Sequence, residues 1–269
     1  MAKDLIKTYG RGRTVQAVAV LLTAIAQIAT TRLTDFLHVG INVELRSAVA
    51  SHPLVPLGYA FAIWGAIYLF SFIAAVWQML PEQRHDRAMD AVGWNLAGIY
   101  LINAIWQVWV PLNGLDGISV ALVAIALVLG ISGLLRLRQD MELTRIDSLM
   151  VFAPLALVTG WLTAACFVNF TSMLVAGNFG LDPGQANVSL AFLMALVVFG
   201  GVMVWLTESV IYSGALVWAL FWIMMANIYR DHEPAMVTTA IIGMALIGLL
   251  CAWAVTHHHE SGPMELRRG

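Results

Sequence analysis

Charged residues are scarce in this 269-residue chain: only 11% of its residues are charged, whereas 60% are hydrophobic. An ordinary soluble domain carries about 25% charged residues, so this composition excludes that class. Several apolar runs reach the roughly 20 residues that a helix needs to cross a bilayer. The sequence therefore predicts an all-α polytopic membrane protein. A net charge of −2 gives no reason to expect a nucleic-acid partner.

The chain also lacks the usual signatures of enzymes and ion pumps. It contains no zinc-protease helix motif, glycine-rich phosphate loop or serine elbow. Glu208, in the short turn LTES, is the only acid near a hydrocarbon-spanning run, and we interpret it as a helix-end charge rather than a proton carrier. Cys166 and Cys251 fall inside apolar runs, which favours buried thiols over a disulfide or a metal site. These absences favour a protein without turnover of its own.

Eight segments are predicted to span the membrane. They are approximately residues 14–31, 57–80, 91–112, 118–137, 148–170, 186–206, 210–229 and 235–256. The sixth and seventh nearly meet, so seven spans with one irregular or re-entrant segment is the alternative. The long connection 34–56 contains enough apolar residues to fold back on the membrane surface or over a cavity mouth.

The distribution of Lys and Arg predicts the orientation of these spans, because cytoplasmic loops carry an excess of both. With the N-terminus inside, the outer segments hold only Arg32, Arg46 and Arg230. The inner segments hold the other eleven of the 14 basic residues: Lys3, Lys7, Arg11, Arg13, Arg84, Arg87, Arg136, Arg138, Arg145, Arg267 and Arg268. The sequence thus predicts cytoplasmic termini at both ends, in the cytoplasmic membrane of a bacterium.

The third segment, WNLAGIYLINAIWQVWVP, is unusually polar and rich in tryptophan. At 100° per residue, one helix face would carry Asn95, Ile99, Asn103, Trp106 and Gln107. Lipid cannot hydrogen-bond three carboxamides, so this face must point into the protein. Two interpretations remain: the amides hold neighbouring helices together, or they line a ligand pocket.

Two further segments carry aromatic stripes at helical spacing. The second segment aligns Phe61, Trp64, Tyr68 and Phe72, and the fifth aligns Pro154, Val158, Trp161, Ala165 and Asn169. Flat rings beside hydrogen-bonding groups on three adjacent helices predict a site for a large planar or polycyclic apolar molecule.

These pairs resemble a known family. Trp64 and Tyr68 in AFAIWGAIYLF, Asn103 and Trp106 in LINAIWQVW, and Trp161 and Asn169 in WLTAACFVNF are similar to the second, third and fifth helices of the TspO/MBR family, the tryptophan-rich sensory proteins related to the mitochondrial translocator protein. The resemblance covers about residues 14–170. Since that family usually has five spans, residues 1–170 are predicted to form a TspO-like five-helix core. Residues 171–269 then add about three transmembrane helices and a short tail.

Three prolines depart from the family pattern. Phe61 stands where a proline usually precedes the second-helix tryptophan, while Pro111 and Pro154 are displaced from their usual positions.

The resemblance implies a cavity that is closed by the long connection and binds a porphyrin, a haem or a sterol-like molecule. The implied ligand-binding residues are Trp64, Tyr68, Asn103, Trp106, Trp161 and Asn169. A haem iron would need an axial ligand, which only His38 or His52 of the connection could supply; no other metal site is expected. Family members are often dimers, so a homodimer or a larger membrane complex is an expected partner, beside membrane lipid.

The leading hypothesis is a receptor or carrier that regulates or traffics a tetrapyrrole or a similar ligand. The alternative is a structural or assembly subunit whose C-terminal helices dock against a respiratory or photosynthetic complex. A third hypothesis is an enzyme that acts on porphyrin with light or oxygen.

Overall fold

The structure is a computed structural model that describes residues 2–83, 86–177 and 186–260. Some basic residues in the orientation argument lie outside the described side chains: Lys3, Lys7, Arg11, Arg84, Arg267 and Arg268.

Eight long helices make up most of the described residues. They are α1 (Ala2–Thr30), α4 (Ile63–Met79), α5 (Arg87–Asn113), α6 (Gly117–Asp140), α8 (Ala153–Ala176), α9 (Ala186–Thr207), α10 (Val210–Ala226) and α11 (Pro234–Glu260). The short helices are α2 (Leu33–Phe36), α3 (Val43–Val49) and α7 (Arg145–Asp147), and single helical turns cover Gly58–Ala62, Ser148–Phe152 and Asn227–Asp231. The predicted all-α polytopic bundle is confirmed.

Seven of the eight long helices are apolar enough to cross a membrane by length and composition. The eighth, α5, has 27 residues and is about 40 Å long, which also suffices, but it carries the polar face described above. The segments Ala186–Thr207 and Val210–Asp231 both qualify as spans. The turn between α9 and α10 therefore joins two full-length helices.

Polar caps determine where several helices begin. Asp86, Asp116 and Ser209 each accept a hydrogen bond from the backbone N–H three residues later, at 2.7, 2.8 and 3.1 Å. Each bond satisfies an N–H that has no partner within its own helix, so each cap starts a helix directly after a turn.

The bundle has two distinct ends. At one, which we call the base, Arg13 of α1 pairs with Asp90 of α5 at 2.8 Å, and Arg138 of α6 pairs with Glu208 between α9 and α10. Glu208 directly follows the last residue of α9, and its backbone adopts a left-handed conformation with φ +47°. At the other end lies the connection of residues 31–57, which we call the lid.

The C-terminal helices pack directly against the first part of the bundle. A Cβ on Gly160 of α8 would lie 2.8 Å from the carbonyl oxygen of Tyr212 on α10, so α8 and α10 touch through their backbones. The Tyr212 hydroxyl and Thr163 Oγ1 lie 2.7 Å apart in the same buried interface. Gly130 and Gly133 of α6 likewise pack against α8. These glycines serve contacts within the chain.

Candidate functional site

A covered apolar cavity lies between five helices, directly below the lid. The volume open to water-sized molecules is about 50 Å³. It is lined by Val43, Ser47, Pro56, Phe61, Trp64, Ile102, Asn103, Trp106, Leu115, Val123, Ala126, Trp161, Leu162, Ala164, Ala165, Val168, Asn169, Ala219 and Ile223. We call this space the cavity.

The structure brings five of the six predicted site residues together around this cavity: Trp64, Asn103, Trp106, Trp161 and Asn169. The sixth, Tyr68, is not a lining residue, and its ring stacks on Trp64 with the ring centroids 5.5 Å apart. That these side chains bind a ligand remains a prediction.

Aromatic rings hold the shape of the cavity wall. The Trp161 ring meets Trp64 edge to face, at 6.1 Å between centroids, and Phe61 in the same way, at 6.2 Å. Perpendicular contacts of this kind are favourable for aromatic pairs. They connect the two stripes predicted on α4 and α8.

Three buried polar atoms on the cavity residues have no hydrogen-bond partner: Trp106 Nε1, Trp161 Nε1 and Asn169 Oδ1. Their side chains are only 7%, 4% and 6% exposed. The Asn169 amide nitrogen donates to the Ala165 carbonyl at 2.7 Å, whereas the amide oxygen accepts no hydrogen bond. Each such group costs about 1–3 kcal/mol when buried without a partner. All three residues line the cavity, but the three atoms are themselves buried, so a guest molecule would reach these two donors and one acceptor only after the side chains shift.

The lid covers the cavity, which is one of the two placements that its apolar residues left open and the one that the family resemblance implied. Its residues Val43, Ser47 and Pro56 form part of the lining. The Pro111 carbonyl at the end of α5 accepts hydrogen bonds from the lid, including one from the Arg46 guanidinium at 3.0 Å.

Gly40 is required for the close approach of the lid to α5. Its φ is +73°, and a Cβ there would lie 2.5 Å from the Pro111 oxygen. A side chain at this position would therefore both strain the backbone and separate the lid from α5.

Helix α10 anchors the other side of the lid. Asn227 donates to the Pro53 carbonyl at 2.7 Å, and Arg230 donates to the Val55 carbonyl at 2.8 Å. Ala219 and Ile223 of the same helix line the cavity. The sequence reasoning missed both, because small apolar residues look the same whether they face lipid or a cavity. Asn227 and Arg230, polar residues at the end of an apolar run, were the available signal.

A family model described as TSPO-like protein matches residues 16–253. The chain belongs to the TSPO-like family. No curated protein and no solved structure matches the chain. The match extends well beyond residue 170, through α9 and α10 and most of α11, whereas the sequence resemblance rested on residues 14–170 alone. The division into a core and additional helices remains a prediction.

In this TSPO-like protein, the carboxamides of α5 mainly bind neighbouring helices. Asn103 donates to Gln27 Oε1 of α1 at 2.9 Å, and Gln107 donates to the Gln27 carbonyl at 3.1 Å. Gln27 in turn donates to Ser71 of α4 at 2.8 Å. Asn95 turns to α6 and donates to a backbone carbonyl there at 2.9 Å. The predicted single face is therefore divided between two neighbours, and only its Asn103 and Trp106 reach the cavity.

Neither candidate haem ligand lies at the cavity of this TSPO-like protein. His52 is buried beside α8, where Nε2 lies 2.9 Å from Ser172 Oγ and Nδ1 accepts from the Leu54 N–H at 3.3 Å. His38 is exposed on the lid. Among the described residues that line the cavity there is no His, Cys or Met, so this lining fits a metal-free macrocycle better than a haem.

His52 is expected to make the stability of the protein depend on pH. Burial, followed by the positive charge of Arg230, lowers the pKa of His52 from 6.5 to about 4. Between these values the unfolded chain binds a proton that the folded chain does not, so stability falls as the pH drops from 6.5 to 4. The full loss is on the order of 3 kcal/mol.

Thermal unfolding in detergent from pH 7 to pH 4 tests this expectation. His52→Gln should show a smaller loss of melting temperature than the unmodified protein over that window, because glutamine does not titrate. Equal losses in the two proteins would contradict it.

Proposed function

We propose that this TspO-class membrane protein is a receptor or carrier for a planar polycyclic ligand, with a metal-free tetrapyrrole as the leading class. The observation that carries the proposal is the set of three unpaired buried polar atoms, on Trp106, Trp161 and Asn169, around one aromatic-walled cavity. Acceptor groups on the ligand would take the indole N–H groups, one acceptor for each indole, and a donor group would take the Asn169 oxygen. Flat rings would stack on the indoles.

The size of the cavity requires it to widen on binding. About 50 Å³ holds a few water molecules at the roughly 10–15 Å³ that each one needs, whereas sites for drug-sized ligands measure about 300–1,000 Å³. The first part of the lid is the element that can move, because its residues 35–42 are exposed, whereas residues 52–55 are buried and bonded to the end of α10.

The lining favours binding over turnover. It contains no acid, histidine, lysine, tyrosine or cysteine, so it offers no group that exchanges a proton near neutral pH. The polar atoms that it does offer are hydrogen-bonding groups of fixed protonation. They suit recognition of a ligand.

We also propose that the base faces the cytoplasm and the lid faces the opposite side. Among the described side chains, five arginines lie on segments at the base: Arg13, Arg87, Arg136, Arg138 and Arg145. Of the three arginines at the lid end, Arg46 and Arg230 donate hydrogen bonds to backbone carbonyls. These two therefore have a structural role that accounts for their presence on that side. This strengthens the charge asymmetry on which the orientation rests.

Titration of protoporphyrin IX into the protein in lipid nanodiscs tests the proposed function. We expect saturable quenching of tryptophan fluorescence, with one porphyrin per chain and a shifted Soret band. Empty nanodiscs measure simple partition into lipid. Signals that rise without saturation and equal those of empty nanodiscs would contradict the proposal.

A further inference from the structure

A second pocket lies beside the cavity, between the end of α1, the lid, α4 and α5. Its volume is about 240 Å³, and we call it the vestibule. It is lined by Thr31, Arg32, Thr34, Asn42, Val43, Glu44, Phe61, Trp64, Gly65, Tyr68, Trp106, Gln107 and Pro111. Four residues line both spaces and form the partition between them: Val43, Phe61, Trp64 and Trp106.

The two sides of the partition differ in chemistry. The cavity lining is mostly apolar, and its polar residues are Ser47, Asn103 and Asn169 beside the two indole N–H groups, whereas the vestibule contains hydroxyl, amide and charged groups. The Tyr68 hydroxyl faces the side chains of Thr31, Asn103 and Gln107. This explains why Tyr68 belongs to the vestibule although its ring stacks on Trp64.

The vestibule opens to the surface. A wider pocket of about 570 Å³ continues from it and shares Arg32, Glu44 and Phe61. The wider pocket, the vestibule and the cavity therefore lie side by side in that order, and the partition of Val43, Phe61, Trp64 and Trp106 separates the last two.

We propose that the vestibule is a second binding subsite, which takes the polar edge of the ligand while the flat apolar body crosses the partition into the cavity. This inference rests on the proposed function. The cavity and the vestibule together approach the lower end of the roughly 300–1,000 Å³ of typical ligand sites, which neither reaches alone. The ligand is therefore amphipathic.

The charges at the vestibule select a neutral polar edge. Arg32 is already paired with Asp35, at 3.2 Å, and Glu44 adds a second carboxylate. The Arg46 guanidinium also lies at this site but donates to the Pro111 carbonyl at 3.0 Å, so both guanidiniums already have acceptors, and the Glu44 carboxylate repels a free acid group. An ester, an amide or a hydroxyl group avoids that repulsion and can still bond to the amide and hydroxyl groups of the vestibule.

Gly65 allows the vestibule to be filled without disturbing the cavity. It lines the vestibule but not the cavity, and a Cβ built on it meets nothing within 4 Å. Gly214 on α10 has the same free space and is exposed on the outer surface of the bundle. Gly65 is also exposed, so Gly65→Leu places a bulky side chain at the rim of the vestibule, and Gly214→Leu, which lines neither space, is its matched control.

The test compares protoporphyrin IX dimethyl ester with protoporphyrin IX, its free diacid, in nanodisc titrations. We expect the unmodified protein to bind the ester more tightly.

Gly65→Leu should weaken ester binding by about tenfold or more, which corresponds to 1.4 kcal/mol, while Gly214→Leu stays within about twofold. Glu44→Gln should narrow the difference between ester and diacid. Thermal unfolding, together with the smaller Gly65→Ala, checks that the variants fold.

The possible outcomes distinguish a failure of the vestibule subsite from a failure of the proposed function. Ester binding that depends on Trp161 but survives Gly65→Leu would overturn the vestibule subsite and leave the proposed function standing. Tighter binding of the diacid would overturn the selection of a neutral edge. Failure of the unmodified protein to bind either porphyrin would overturn the proposed function, and the vestibule subsite with it.

Discussion

Replacing Trp161 by phenylalanine is expected to weaken binding of protoporphyrin IX dimethyl ester by about 5- to 150-fold. Phenylalanine keeps the ring contacts with Trp64 and Phe61 but removes the unpaired indole N–H. The ligand acceptor would then be buried without a partner, at a cost of about 1–3 kcal/mol. Fluorescence and Soret titrations in nanodiscs measure the change.

Trp205→Phe is the matched control, because Trp205 is 55% exposed and lies away from the cavity. The affinity of Trp205→Phe for protoporphyrin IX dimethyl ester should equal that of the unmodified protein. An equal loss in Trp161→Phe and Trp205→Phe would show that the binding signal comes from the lipid surface. Unchanged affinity in both variants would remove Trp161 from the site.

Asn169→Leu separates binding from folding at the same site. Its amide oxygen has no partner, so leucine removes an unsatisfied group from the apo protein. We expect an unchanged or higher melting temperature together with weaker binding. A purely structural role for Asn169 predicts the opposite, a lower melting temperature with unchanged affinity.

The second large effect is expected from ending the chain after Gly177, which removes α9, α10 and α11. We expect the remaining residues to lose their fold in detergent. In the span Arg145–Ala176, 72% of the apolar membrane-crossing stretch is buried inside the protein. Helix α10 covers part of that buried surface. The truncation would also remove the bonds from Asn227 and Arg230 that hold the lid.

Size-exclusion chromatography and circular dichroism measure the outcome of the truncation. A variant that lacks only residues 261–269 is the control. A truncated protein that stays monodisperse and binds porphyrin with unchanged affinity would contradict the expectation and support an independent core of residues 1–170. It would also favour the alternative in which the C-terminal helices dock on a partner complex.

Much of the fold could be predicted from the sequence, because long apolar runs leave few alternatives to membrane helices. The predicted span 210–229 begins where α10 begins, at Val210, and 186–206 matches α9 within one residue. The Asp86 cap accounts for the start of α5 at Arg87, which the apolar pattern alone placed at 91, and the Asp116 cap for the start of α6 at Gly117, which the pattern placed at 118.

The site was partly predictable for a similar reason. Trp161 and Asn169 share a helix face, and helical spacing alone brings both to the same space. Asn95 shows the limit of this reasoning: it shares a broad arc with Asn103, yet a neighbouring helix lies on each side of that arc. Which neighbour an amide meets depends on packing, and sequence spacing does not encode it.

The contribution of α10 could not be predicted from periodicity. Ala219 and Ile223 have small or aliphatic side chains that nothing in the sequence distinguishes from lipid-facing ones. They line the cavity because the backbone contact at Gly160 brings α10 against α8. Contacts between segments so distant along the chain depend on the assembled bundle. The same holds for the unpaired state of Trp106 Nε1, which emerges only when every neighbour is in place.

The most direct test of the central claim is to observe the indole N–H resonances of Trp106 and Trp161 by ¹⁵N NMR as protoporphyrin IX dimethyl ester is added. Trp→Phe variants assign the resonances, and the exposed Trp205 serves as the internal reference. A ligand that bonds to both indoles predicts saturable shifts of Trp106 and Trp161, with little change at Trp205. Unmoved Trp106 and Trp161 resonances at ligand saturation would contradict a binding site in this cavity.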